Sequence, residues 1–512
     1  MYLTQGFHRS VQQTPNAPMT ICGTRTRSFR EVADRVARLA GALKDQGVQP
    51  GDRVAILALN SDNYLESLLA VPWADAVLNP VNTRWGVQEI AYSLADCQSS
   101  VLIVDDKFAP IVPALREGYR DLRTVIYCGD GPTPAGMLCY EALAAGYPAV
   151  PDVRRGHDAL AGLFYTGGTT GFPRGVMLSH GNVVASTLGA AACGLFRAGG
   201  VYLHVAPMFH LADFIGGSVQ TLLGGTHVVL PAFDVEVVLD VIERHRITGI
   251  TLVPAMIQAI VDNPETKARD VSSVESILYG ASPIAEELLV RAVETFPSAG
   301  FTQAYGMTEL AGLATLLLPG DHRAGRFKSA GRPLPHTEVR VIDAGAEEAE
   351  RGAVGEVAVR GGNVMQGYWN CPDQTAAAIV DGWMRTGDVG YMDAGGYLYV
   401  VDRMKDMIIT GGENVYSIEV ENALSAHPAV RDCAVIGLPD DQWGERVHAV
   451  VVLHDGAGVA ADELRDHVKT SIAGYKAPRS VEFIDALPRT PTGKVLKREL
   501  RDSAVKRGQR DS

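Results

Sequence analysis

The chain has 512 residues, more than one ordinary hydrophobic core organises, so two to four domains are expected. Hydrophobic residues make up 46% and charged residues 21%, the balance of a soluble globular protein. The 46 Lys and Arg against 59 Asp and Glu leave a net charge of -13, which excludes general nucleic-acid binding but not an anionic ligand held by a few local cations.

The chain opens on MYLTQGFHRSVQQTPNAP, which lacks the apolar segment of a secretory signal. No later run approaches the length of uncharged apolar sequence that crosses a bilayer. The seven Cys (22, 97, 128, 139, 193, 371 and 433) are odd in number and form no C-x-x-C pair, so they read as free thiols in a reducing compartment. A cytoplasmic location is expected; the oligomeric state is left open.

In SFREVADRVARLAGALKDQG, Ser28 and Glu31 fit a capping box, and Val32, Val36, Leu39 and Leu43 follow at helical spacing until Gly47. RVAILAL then reads as a buried strand, and SVLIVDD, GTHVVLPAF and ITGITLVPA repeat the pattern between helical stretches. This alternation predicts layered α/β subdomains with parallel sheets. After about Gly352, GEVAVRG and GYLYVVDR read as antiparallel strands with Gly turns. A boundary is expected near VVDRMKD, dividing 1–402 from 403–512. The last segment of about 110 residues, a usual small-domain size, reads as α+β. SIEVENALSAHP is helical, VRDCAVIGL and RVHAVVVLHD are strands, and ELRDHVKTSIAGY is a helix with Leu464, Val468 and Ile472 on one face.

One segment breaks an apolar run with residues that bury poorly: YTGGTTGFPRG, 165–175. Gly lets a ligand approach the backbone, Thr adds hydroxyls, and Arg174 adds a fixed charge, a composition suited to phosphate oxygens. It is not a P-loop, because Gly171 is followed by Phe-Pro and not by Lys-Ser/Thr. By itself it reads equally well as a surface turn.

Further blocks follow in order: APMFH (206–210), YGASP (279–283), QAYGMTE (303–309), GWMRTGDVG (382–390), DRMKDMIITGGENVYSIEVE (402–421) and PRTPTGKVLKREL (488–500). Together with the loop they resemble the acyl-adenylate-forming superfamily, which includes acyl-CoA synthetases, coumarate-CoA ligases, luciferase and peptide-synthetase adenylation domains. The resemblance spans nearly the whole chain. It implies a large N-terminal domain with a β-rich subdomain and a small mobile C-terminal domain turning near Lys405. It also implies a two-step ATP-dependent reaction on a small-molecule carboxylic acid, with Mg²⁺ and coenzyme A.

Residue by residue, the resemblance implies that Thr166, Gly167, Gly168, Thr169, Thr170, Gly171 and Arg174 hold the polyphosphate. Gly280, Ala281, Ser282, Ala304, Tyr305 and Gly306 would face the adenine, with Asp388 and Arg403 on the ribose. Thr308 would contact the α-phosphate, and Glu309, with Thr170, the Mg²⁺. Lys494 would bridge the carboxylate and α-phosphate oxygens during adenylation only, although the neighbouring Lys497, Arg498 and Arg501 also allow a solvated basic tail. Gly411 and Gly412 would line the thiol channel. His210 would gate the acid site without serving as a general base. The loop departs from the family at Gly167, usually Ser, and Arg174, usually Lys, which points to re-tuned pyrophosphate handling.

The acyl pocket is expected around Ala212, Asp213, Phe214, Gly216, Gly217 and Met307. The small residues suggest a long or wide pocket, Phe214 and Ile215 an apolar acid, and Asp213 a solvated or capping position or a partner for a phenol. A medium- or long-chain fatty acid is the first expectation and an aryl acid the alternative. An amino acid is disfavoured because the FD pair lies at 233–234, past the next strand, and no carrier segment follows Lys494. A silent acyl-adenylate-binding protein is disfavoured because Lys494, Glu309 and Asp388 are all present.

Overall fold

The computed structural model describes residues 1–167, 173–282, 284–343, 345–411, 413–440, 442–489 and 495–508. Helix Phe29–Asp45 begins at the expected cap: Ser28 Oγ accepts from Glu31 N, and the Glu31 carboxylate accepts from Ser28 N at 2.7 Å. Its Val32, Val36, Leu39 and Leu43 are fully buried.

Two large sheets share one continuous core. In the first, Val77–Pro80, Arg53–Leu57, Val101–Val104 and Thr124–Tyr127 run parallel in that spatial order, and Leu160–Thr166 joins beside Val77–Pro80. Leu160–Thr166 then pairs antiparallel with Arg174–Ser179, which pairs with the short strand Gly367–Tyr368. In the second sheet, Val201–His204, Gly249–Leu252, Ser276–Gly280 and Gly300–Tyr305 are parallel neighbours. Most side chains of these strands are apolar and buried, as a sheet covered on both faces requires. Helices His180–Ala192 and Leu211–Leu222 pack against each other, and the latter also packs on Gln5–Gln13.

The β-rich subdomain is an antiparallel sheet of Thr337–Ile342, Gly355–Gly361, Trp383–Met392 and Leu398–Arg403. A separate sheet then carries the small C-terminal domain. Val430–Asp440 and Gly444–Leu453 pair antiparallel there, and Ser480–Phe483 runs parallel to Gly444–Leu453. Helix Ala461–Ser471 buries Leu464 and Val468. Ile472, expected on the same helical face, lies just past its end but packs into the same core.

The basic stretch after position 494 is not a solvated tail throughout. Lys497 is largely buried, with its Nζ 2.7 Å from Glu421 and in contact with Ser417 Oγ. Ser417 N and Oγ in turn donate to Asp402. Burial raises the Asp402 carboxyl above its usual range, against the pull of Lys497. No described helix is long and apolar enough to cross a membrane, and all seven cysteines are free.

Candidate active site

Ser276–Gly280 and Gly300–Tyr305 are adjacent parallel strands, and the segments leaving their carboxyl ends carry the expected adenine and phosphate residues. Open α/β sheets bind ligands at such strand ends. Gly280 pairs with Ala304, and a Cβ at Gly280 would come 2.3 Å from the Ala304 carbonyl oxygen. A Cβ at Gly306 would likewise come 2.3 Å from the Gly312 carbonyl oxygen. Both glycines are thus required by close backbone approach. Ala281 adopts φ +66°, an uncommon conformation for a residue with a Cβ, and is exposed, whereas Ser282 beside it is half-buried. Thr308 and Glu309 form a single turn of 3₁₀ helix directly after Met307.

Asp388 and Arg403 face each other across neighbouring strands. Arg403 Nε lies 2.6 Å from Asp388 Oδ1, and Tyr305 Oη donates to Oδ2 at 2.8 Å. Burial, and then the Asp388 charge, raise the Tyr305 phenol well above its usual range, so it remains a donor. The turn before Asp388 is tied down from two sides: Gly387 N donates to Glu356 and Asp388 N to Thr386 Oγ1.

Thr166 and Arg174 are cross-strand partners at the two ends of the Gly/Thr loop. Gly167 is exposed, and a Cβ there meets no atom within 4 Å. Arg174 donates to Gln374 Oε1 at 2.8 Å, and its guanidinium lies 4.7 Å from the centre of the Tyr368 ring. Tyr368 Oη donates to Glu309 Oε1 at 2.9 Å. Gly168, Thr169, Thr170 and Gly171 lie outside the described residues, as do Gly412 and Lys494.

Among the described residues no cluster of three or more His, Cys, Asp or Glu forms a metal cage. Glu309 stands as a single, largely buried carboxylate with one oxygen committed to Tyr368. Mg²⁺ fits that donor set, because it takes one or two carboxylates and completes its shell with phosphate oxygens and water.

The acyl-pocket expectations divide. His210 caps helix Leu211–Leu222, with its Nε2 buried and without a partner among the described residues. Burial, helped by Arg84, lowers its pKa to about 4, so the ring is neutral. Asp213 is not the solvated or capping residue expected: it is fully buried, with Oδ2 2.6 Å from His204 Nδ1 and Oδ1 accepting from Tyr202 Oη. His204 Nε2 continues to His227 Nδ1 at 2.8 Å, and Tyr202 Oη also accepts from Thr251 Oγ1 at 2.7 Å. Burial of Asp213 is tolerable because these polar groups satisfy one another.

The Cβ directions of Gly216 and Gly217 are both filled. A Cβ at Gly216 would lie 2.5 Å from Tyr202 Oη, and one at Gly217 2.6 Å from His204 Cε1. Their small size admits two rings. A cavity of about 200 Å³ does lie beside this helix, under the amino-terminal segment. Asp213, Phe214 and Gly217 border it with Leu65, Leu68 and Val183, whereas His210, Ala212, Gly216 and Met307 do not.

Lys405 is exposed in the turn between Leu398–Arg403 and Ile408–Thr410. Gly411 has φ +60° and lies against the Trp443 ring, 2.9 Å from where its Cβ would be. Sequence reasoning missed Tyr368, Gln374 and Trp443. Gly367 before Tyr368, at φ +145°, was the available signal of a specially placed aromatic.

Comparison with known proteins bears on the chain as a whole. The family model described as AMP-binding enzyme matches residues 7–369, and the AMP-binding enzyme C-terminal domain matches 419–494. A feruloyl-CoA synthase from Amycolatopsis sp is 43% identical over 494 residues, covering 96% of this chain and 97% of that protein. The fatty acid–[acyl-carrier-protein] ligase ScoC of Streptomyces coeruleorubidus is 36% identical, covering 98% and 95%. The crystal structure of the anthranilate CoA ligase AuaEII in complex with anthranoyl-AMP superposes with a TM-score of 0.92 at 27% identity, covering 99% of this chain and 98% of that one. The chain belongs to the AMP-binding enzyme family, within the acyl-adenylate-forming superfamily. It is an AMP-forming acid–thiol ligase of the acyl-CoA synthetase class.

Proposed function

We propose that the protein activates an aryl or arylalkenoic acid as its adenylate and transfers the acyl group to coenzyme A. The observation that carries the choice of acid is the occupied glycine face of helix Leu211–Leu222. Tyr202 and His204 fill the space beside Gly216 and Gly217, which disfavours a long alkyl chain along that face and suits a short, flat acid. The similarity to a feruloyl-CoA synthase and to an enzyme bound to anthranoyl-AMP supports the same reading.

In the first half-reaction a carboxylate oxygen bonds to the α-phosphorus of ATP and the bond to pyrophosphate breaks. Thr166, Gly167, Arg174 and the intervening loop hold the polyphosphate, and Thr308 contacts the α-phosphate. Asp388 accepts from the ribose hydroxyls with Arg403 beside it, and Gly280, Ala281, Ser282, Ala304, Tyr305 and Gly306 surround the adenine. Glu309 would hold Mg²⁺, which neutralises phosphate charge when bound. Lys494 bridges the carboxylate and α-phosphate oxygens. Stabilising charge on these oxygens is the main catalytic task, because a carboxylate supplies no leaving group. In the second half-reaction the thiol sulfur bonds to the carbonyl carbon and AMP leaves. The C-terminal domain, 403–512, turns at Lys405 to withdraw Lys494 and bring Gly411 and Gly412 to the thiol path. Neutral His210 borders that path.

A medium- or long-chain fatty acid is the second reading, favoured by the apolar cavity walled by Leu65, Leu68, Val183 and Phe214. Pyrophosphate release and CoA thioester formation with ferulate, benzoate, octanoate and dodecanoate, scored by kcat/KM, separate the two. Aryl acids at least tenfold above octanoate are expected; the reverse order overturns the proposal. Release of no pyrophosphate with any acid removes the ligase reading.

A further inference from the structure

Tyr368 lies between two parts of the nucleotide site that are remote in sequence. Its hydroxyl donates to Glu309 Oε1 at 2.9 Å, and its ring carries the Arg174 guanidinium at 4.7 Å. Its backbone is fixed on both sides. It pairs with Val176 on the strand that leaves the phosphate loop, and its N–H donates to Thr375 Oγ1 at 2.9 Å. Glu309 is 6% exposed and, among the described residues, forms no ion pair with Lys, Arg or His. A buried carboxylate in that position needs its lone pairs satisfied. One oxygen has Tyr368; the other is available to a cation.

We infer that Tyr368 is a positioning residue: it orients Glu309 for the divalent cation that accompanies ATP, and it links that carboxylate to the phosphate-loop arm through Arg174. This rests on the proposed role of Glu309. The phenol touches neither phosphate nor acid. It fixes the rotation of the carboxylate, so that the free oxygen is presented in one direction, and the loop arm and the metal carboxylate share one ring. Phe at 368 keeps the ring under Arg174 and removes only the donor. A core-filling role therefore leaves Tyr368→Phe silent, whereas a positioning role does not.

The test uses the full chain with α,β-methylene-ATP and Mn²⁺ as the probe, with bound Mn²⁺ read by electron paramagnetic resonance. Tyr368→Phe is expected to raise the Mn²⁺ Kd in the nucleotide complex about tenfold, the scale of a hydrogen bond to a charged group. The Mg²⁺ needed for half-maximal acid-dependent pyrophosphate release should rise in parallel. Thioester formation from supplied acyl-adenylate should stay at its wild-type value. In Glu309→Gln, adding Tyr368→Phe should change Mn²⁺ affinity no further. A Tyr368→Phe Kd within twofold of wild type overturns the inference, and so does full additivity with Glu309→Gln. If Glu309→Gln alone leaves Mn²⁺ affinity unchanged, the role of Glu309 falls, and this inference with it. The Mn²⁺ comparison needs no turnover, so it stays decisive even if the acid panel fails.

Discussion

Tyr305 Oη donates to Asp388 Oδ2 at 2.8 Å while Arg403 holds Oδ1 at 2.6 Å, so three strands converge on one carboxylate. The pair of partners aims Asp388 and offsets the cost of burying it. Tyr305→Phe removes one of the two and keeps the ring. ATP KM is expected to rise roughly three- to tenfold, the effect of about one hydrogen bond. Asp388→Asn, which removes the charge that Arg403 faces, should cost more. Steady-state kinetics with ATP varied at saturating acid checks the order of the two variants; equal effects would count against the shared clamp.

Gly216→Ala places a methyl group where Tyr202 Oη stands, 2.5 Å away. Overpacking of this kind costs about 1–3 kcal/mol. Tyr202→Phe by itself strips hydrogen bonds from Asp213 and Thr251 and should also destabilise. The double variant removes the clashing atom, so its loss should be smaller than the sum of the singles. Denaturant melts of the four proteins measure the coupling, and strict additivity would contradict the contact described.

His180 is 3% exposed, and its Nδ1 accepts from Leu3 N at 3.2 Å. Burial lowers its pKa from 6.5 to about 4. The unfolded chain therefore binds the extra proton between those values. The contribution of neutral His180 is complete above about pH 6.5 and is lost as pH falls toward 4, by about 3 kcal/mol at most. His210 adds to the same slope. Thermal melts between pH 7.5 and 4.5 should show stability falling with acid, and His180→Asn, which keeps an acceptor, should flatten the curve.

Gly167→Ser is expected to leave the melting temperature unchanged, because a Cβ there meets nothing within 4 Å. Arg174→Lys loses the guanidinium placed over the Tyr368 ring and weakens the contact with Gln374. An ATP KM raised about three- to tenfold, with little change in acid KM, is the expected split. Unchanged ATP and pyrophosphate parameters in both variants would mark these departures from the family as neutral.

Helix Phe29–Asp45 was readable because its cap, period and stop are local. Asp388 and Arg403 were expected together because each lies in a distinctive block, and neighbouring strands pair them. Asp213 was misread for a physical reason. A carboxylate on a helix reads as solvated, and what buries it is a set of partners, His204, Tyr202 and His227, that sequence distance hides. Gly216 and Gly217 carried an ambiguity that spacing does not resolve, since a missing side chain signals either open space or a close neighbour. Tyr368 lies in none of the quoted blocks, and its hydroxyl partner is 59 positions away.

Asp402 and Ser417 stand on opposite sides of Lys405 in the chain, yet Ser417 gives Asp402 both its backbone N–H and its hydroxyl, and Lys497 braces the pair. A pivot at position 405 must unfasten this latch or carry it along whole. The turn is therefore more than a crease in the chain. It has a detent, and in the turning proposed for Lys405 the grip on Ser417 would set how long the C-terminal domain dwells in this posture.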